Sequence, residues 1–165
     1  MRQMRGLGLV FAAWVLLGLA GGCAWGVQAD ITATGNWSGT IDSSHLTGGA
    51  GTDLISIHTS GSEQVSITIS NTAGDWDFWR VDVRKSDTNW HADLALSVRR
   101  TSPGSGTGSI SGGTDYVAAG DLDTAFFNGR GDRTDVYVKL QLSGVSVQVV
   151  PDTYSASIVF TVVDT

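Results

Sequence analysis

Histidines and aspartates have the best claim to chemistry in this chain, and their spacing decides which chemistry is open to it. His45, His58 and His91 are widely separated. Zinc sites draw on ligands that converge, commonly from pairs a few residues apart. This spacing supplies no such pair, and no metal or cofactor is called for. His91 alternates outward with Asp93 and reads as a surface side chain. Asp75/Asp77 and Asp121/Asp123 are acid pairs of the kind that begin an oxygen-ligated calcium loop. Neither continues into a D-x-D-x-D-G pattern, so turn-forming aspartates are the simpler account. The chain has no G-x-S-x-G elbow and no H-E-x-x-H, and no Walker lysine follows the glycines of 104–113. With no nucleophile, acid/base pair or phosphate cradle, the sequence points away from an enzyme.

Aromatic side chains are the other candidates. Trp76 and Phe78 share one face of a strand with Arg80, opposite Trp79. If that face is wet, two exposed rings beside a turn would stack on a sugar or dock a partner. If the strand begins late, Trp76 caps the end of the core instead. Phe126-Phe127 reads either as an anchor pinning a long loop or as a further contact. The candidate ligand-binding set is therefore Trp76, Phe78 and Phe126. Arg130-Gly131-Asp132 is an integrin-type tripeptide whose glycine also suits a tight turn, and Asn36-Trp37-Ser38 fits a glycosylation sequon.

The elements that must position these residues are strands. From Val136 to Val163 apolar residues fall at every second position: Val136, Val138, Leu140 and Leu142; Val145, Val147 and Val149; Tyr154, Ala156, Ile158, Phe160 and Val162. A period of two marks strands with one buried and one wet face, so this run predicts three final strands. Upstream, 54–59 and 65–70 read as a hairpin about a Thr-Ser-Gly-Ser-Glu turn. The strand at 75–85 turns Trp79, Val81 and Val83 inward. The next puts Trp90, Ala92, Leu94, Leu96 and Val98 on one face and reads as the longest clean strand. Residues 102–113 hold five glycines and four serines and read as a mobile loop. Residues 116–118 suit a short edge strand, and 120–133 a long connection. The pattern predicts an all-β fold, an antiparallel, immunoglobulin-like β-sandwich of about seven to nine strands.

The N-terminus reads differently. Arg2 and Arg5, the apolar stretch 7–20 and Val27-Gln28-Ala29 make residues 1–29 a secretory signal peptide, a helix removed on export. The alternatives are an uncleaved membrane anchor, or a lipoprotein acylated at Cys23. Residues 30–165 then form one domain with no cysteine and no need of a membrane. Removing Arg2 and Arg5 leaves 8 basic against 16 acidic side chains, a net charge of −8. Such a surface repels phosphate backbones, which excludes nucleic acid as a natural partner.

The segment 30–42 alternates Ile31, Ala33, Gly35, Trp37, Gly39 and Ile41 against Thr32, Thr34, Asn36, Ser38 and Thr40. A glycine-containing linker, 43–51, joins it to the rest. A strand so placed either completes its own sandwich or pairs with the open sheet of a neighbouring copy. In the second case Ile31, Ala33, Trp37 and Ile41 form the strand-exchange interface.

The C-terminal run bears on that choice. Pro151-Asp152-Thr153-Tyr154, followed by Ile158, Phe160, Thr161 and Val162, resembles the closing strand of bacterial exported fimbrial-type sandwiches. It is similar to the spore coat protein U-like pilins and to the TasA-like fibre proteins of biofilm matrix. The cysteine pair usual in those pilins is missing. The resemblance implies a secreted or cell-surface structural or adhesive subunit, with itself or a surface glycan or protein as partner. The other expectation is a monomeric carbohydrate- or protein-binding module.

Overall fold

In the computed structural model residues 29–165 are described; nearly all of the expected signal peptide 1–29, Cys23 included, lies outside them. The described chain is all-β. Its strands are β1 (Asp30–Gly35), β2 (His58–Thr59), β3 (Val65–Ser70), β4 (Phe78–Asn89), β5 (Ala95–Arg100), β6 (Ile110–Gly112), β7 (Val117–Ala118), β8 (Thr124–Arg130), β9 (Arg133–Ser143) and β10 (Ser155–Asp164). They form two antiparallel sheets. One has the order β1-β3-β9-β5-β7, with β2 also on β9; the other runs β10-β4-β8-β6. Among the described residues no helix is long and apolar enough to cross a membrane.

The period of two predicts the core correctly where strands are long. Val136, Val138, Leu140 and Leu142 of β9 are buried, as are Trp79, Val81 and Val83 of β4 and Ala156, Ile158 and Phe160 of β10. Leu96 and Val98 of β5, with Ile67 and Ile69 of β3, complete the interior. Each fully buried aliphatic side chain contributes about 1.5–3 kcal/mol, which lets a cysteine-free domain hold together by packing.

Several expectations are corrected. The predicted 54–59/65–70 hairpin does not form. Both β2 and β3 lie along the same edge of β9, at Leu142/Gln141 and at Val138–Arg133 respectively. Ser60 joins them, with its N–H donating to Leu140 O at 2.9 Å and its Oγ accepting from Leu140 N at 2.8 Å. The strand predicted at 145–149 is absent. Val145 alone is fully buried there and Val147 is exposed, because after Gly144 the segment finds no strand to pair with. The 90–98 strand begins only at Ala95, leaving Ala92 exposed. It is shorter than β4, whose 12 residues span the sandwich.

Residues 120–133 are not a long connection either, since β8 occupies most of them. Val81 pairs with Phe127 and Asp82 with Ala125, so Phe126 is the extra residue of a bulge. A bulge interrupts the alternation of faces, which is how adjacent Phe126 and Phe127 both become buried.

The glycine- and serine-rich stretch 102–113 is likewise part of the fold. Ser105 exchanges two backbone hydrogen bonds with Thr134 at 2.8 Å each, and Arg130 N donates to Ser109 O at 2.9 Å. A Cβ on Gly104, Gly106 or Gly108 would overlap the carbonyl oxygen of Thr134, Asp132 or Arg130. Alternate glycines therefore lay one backbone directly against another. Low complexity here reflects close approach.

Candidate functional site

Three places collect the candidate residues, and the fold separates them. The first lies where β4 begins. Asp77 turns inward, its Oδ2 accepting from Ala73 N at 2.7 Å, and is buried. Its neighbours Trp76 and Phe78 turn outward, 77% and 49% exposed. The strand does begin late, yet Trp76 stands on the surface and caps nothing. The Arg130 guanidinium lies 4.4 Å from the Trp76 ring centroid, and Arg130 pairs in register with Phe78. Arg130 Nε also donates to Ser109 Oγ at 3.2 Å. The result is a cation and two rings presented together, an arrangement suited to sugar faces or a partner's aromatic or acidic groups.

Phe126 does not belong to it. It is buried in edge contact with Phe127, 5.0 Å between centroids, and also touches Phe160. It is a core anchor with no surface to offer a ligand. The Arg-Gly-Asp tripeptide turns from β8 into β9 with internal partners. Arg130 stacks on Trp76, Gly131 is buried, and Asp132 Oδ1 accepts from Thr72 N and Oγ1 at 3.0 and 2.6 Å.

The acid pairs answer other groups. Asp75 accepts from Thr107 Oγ1, and Asp121 and Asp123 lie 3.6 and 3.4 Å from Lys85 and Arg84. Among the described residues no group of three or more His, Cys, Asp or Glu side chains is placed to hold a metal ion.

The second place is the sheet edge formed by β1. It pairs with β3 from Asp30↔Ser70 to Gly35↔Val65, and no other strand pairs with it. Its other flank touches β10 of the opposite sheet, so β1 covers the seam between the layers. Ile31 and Ala33 face the core but are only half-buried, as are Trp37 and Ile41 beyond the strand; Thr32 and Thr34 are exposed. Asn71 Nδ2 ties Asp30 Oδ2 at 2.5 Å, and Gln64 Nε2 donates to Asn36 O.

The third place was not visible in the spacing of the histidines. The 43–51 segment is ordered by internal bonds: a 3-10 turn at Ser43–His45 is capped by Asp42, and Leu46 bridges to Leu54. This brings His45 and His58 together, ring centroids 5.2 Å apart, in a cleft shared with Trp37, Thr40, Ile41, Thr59 and Leu142. The Asp42 carboxyl is held below the ordinary carboxylate value by hydrogen bonds from the Ser44 hydroxyl and amide and from His45. The only sequence signal was the run of turn formers between the two histidines, which lets 46–57 fold back. His91 lies apart, in edge contact with Tyr154 at 6.0 Å.

The described residues thus present one arginine with two exposed aromatic rings, a strand closing a seam and a histidine cleft. No protein-family model, curated protein or solved structure matches this chain.

Proposed function

We propose that the protein is a secreted or cell-surface structural or adhesive subunit, of fimbrial or matrix-fibre type, that assembles by strand addition. One observation carries this reading: β1 is a marginal edge strand, bonded to β3 alone, whose core-facing side chains remain half-buried. Such a strand can leave the sandwich at the loss of no strand pairing but that with β3. Its departure uncovers the edge of β3 and an apolar seam that the β1 of a second copy would refill. Ile31, Ala33, Trp37 and Ile41 then fill the neighbour's groove. Tyr154, one of the residues on which the resemblance to fimbrial sandwiches rests, directly precedes β10, and its hydroxyl donates to Val150 O at 2.6 Å.

The test compares the purified protein with a variant lacking residues 30–42, by electron microscopy and sedimentation at high concentration. Filaments or oligomers are expected from the intact protein only. Should the truncated protein stay monomeric, folded and as stable as its parent while the parent never polymerises, the reading fails.

A second reading rests on Trp76. A tryptophan 77% exposed and stacked by an arginine favours a carbohydrate- or protein-binding face, either on the fibre subunit or on a monomeric module. Titration of tryptophan fluorescence with polysaccharides tests it, and an unresponsive, well-folded sample counts against sugar binding.

A further inference from the structure

We propose that His45 and His58 form a two-imidazole site for a divalent transition-metal ion, Cu²⁺ or Zn²⁺, in the cleft they share with Trp37. The site's two ligands lie outside the 30–42 segment, although Trp37, Thr40 and Ile41 of the lining belong to it.

The backbone first brings the two rings together. Between them the chain folds back on itself: Thr47 N donates to Asp53 O at 2.8 Å and Ile55 N to His45 O at 2.7 Å. Ile55 is thereby held from both sides, because its own carbonyl oxygen accepts from the His58 ring at 2.8 Å.

That last bond assigns a tautomer. A carbonyl oxygen only accepts, so His58 Nε2 carries the proton and Nδ1 carries the lone pair. On His45, Nδ1 faces two groups: the Asp42 N–H at 3.3 Å, from which a lone pair on Nδ1 accepts in the capping box, and Asp42 Oδ1 at 3.2 Å, to which only an Nδ1–H donates. A metal on Nε2 selects the Nδ1–H tautomer, which gives up the bond from Asp42 N and donates to that carboxylate instead. Metal-ligating histidines characteristically hand their second N–H to a carboxylate or a backbone carbonyl; His58 already has the carbonyl, and His45 would take the carboxylate on loading.

Separation agrees with ligation. Imidazole nitrogens sit about 2.0–2.1 Å from a tetrahedral zinc ion, which places two ring centroids roughly 5 Å apart. The observed separation is 5.2 Å. The cleft encloses about 200 Å³, room for an ion with solvent in its remaining positions. Thr40 and Thr59 line the same space with hydroxyls. Two neutral nitrogens select a borderline transition ion over calcium or magnesium, which require oxygen ligands. With two protein ligands the ion exchanges freely, unlike one in a closed structural site.

The experiment is calorimetric titration of the purified protein with CuSO₄ and with ZnCl₂, combined with electron paramagnetic resonance of the copper-loaded form. One ion per chain and nitrogen coupling from two imidazoles are expected, with Cu²⁺ quenching Trp37. His45→Ala and His58→Ala should each abolish stoichiometric binding, Asp42→Asn should weaken it roughly 10–100-fold, and His91→Ala should leave it unchanged. The copper spectrum is read on the unsubstituted protein, so a variant that fails to fold does not decide the matter. Absence of stoichiometric binding, a spectrum without imidazole nitrogen, or binding that survives loss of both histidines overturns the proposal.

Discussion

The indole Nε1–H of Trp79 donates to the carbonyl oxygen of Gly131 at 2.9 Å inside the core, tying the start of β4 to the β8–β9 turn. The ring fits there because Gly129 has no side chain; a Cβ at that position would overlap the six-membered ring of Trp79. Trp79→Phe orphans the Gly131 carbonyl and should cost about 1–3 kcal/mol. Gly129→Ala should cost a similar ~1–3 kcal/mol by overpacking. Since both act on one contact, the double variant should lose less than the sum of the two. Urea midpoints with unchanged slopes would measure this; strict additivity would show that the two residues do not act on each other.

Glycines in the 104–108 ribbon should be intolerant. Gly108→Ala forces the ribbon off Arg130 and should destabilise by about 1–3 kcal/mol. Gly120→Ala, which meets open space, should change stability by no more than ~0.5 kcal/mol. Limited proteolysis offers an independent check. A packed ribbon resists cleavage within 102–113 in the parent and becomes cleavable in Gly108→Ala.

The proposed strand addition would compete with the observed β1–β3 pairing, and a crosslink separates the two. Thr32 and Thr68 are register partners on the outer face of the β1–β3 pair. Antiparallel partners have Cα atoms about 4.5–5.5 Å apart, within disulfide reach. The Thr32→Cys/Thr68→Cys variant should close an intrachain disulfide under oxidation and stop polymerisation, which reductant then restores. Filament growth by the fully oxidised monomer would rule out exchange of β1.

Stability should fall at both ends of the pH scale for identifiable reasons. Asp53 accepts N–H bonds from Val147 and Leu54, and these hold its carboxyl below the ordinary value of 3.8. Asp152 is lowered likewise by Thr153 N and Asn89. A carboxyl lowered in the folded state contributes stability above its unfolded value, near 3.8, and loses it as pH falls through the folded one. Burial, with the Asp152 charge second, raises Tyr154 above 10.0. Its contribution is complete below 10.0 and is lost as pH rises through the folded value. Melting temperature against pH should therefore show a shallower acid limb in Asp53→Asn and a shallower alkaline limb in Tyr154→Phe. Limbs identical to the parent's would exclude these groups.

Trp76 should matter to binding and little to folding. Its contact with Arg130 is an exposed cation–π pair worth about 0.5–1 kcal/mol, so Trp76→Ala should shift the urea midpoint only slightly. It should nevertheless abolish any fluorescence response to a saccharide or protein ligand. A response that persists would place the ligand elsewhere.

The all-β architecture and most of its interior were legible because alternation is local. A residue in a long strand faces the core or water by parity alone, so Val138, Trp79 and Ile158 fall where the pattern puts them. Parity fails where the chain inserts a residue or stops pairing. Phe126 changes face at a bulge that only the register of β4 against β8 reveals. Val147 alternates as cleanly as Val138 yet has no neighbouring strand. The exposed pair Trp76 and Phe78 was legible as one of two readings. The histidine cleft was not, since nothing in the spacing of His45 and His58 states that 46–57 doubles back.

By itself, then, the amino-acid order determined that residues 30–165 are a cysteine-free, acidic, two-faced set of strands, because hydrophobic period and charge are properties of neighbouring residues. Tertiary structure alone decided which strands share an edge, which aromatic rings reach solvent, and that a glycine-rich ribbon is pressed against the β8–β9 turn. Those outcomes depend on contacts between residues far apart in sequence, whose geometry is set only when both sheets close on a common interior.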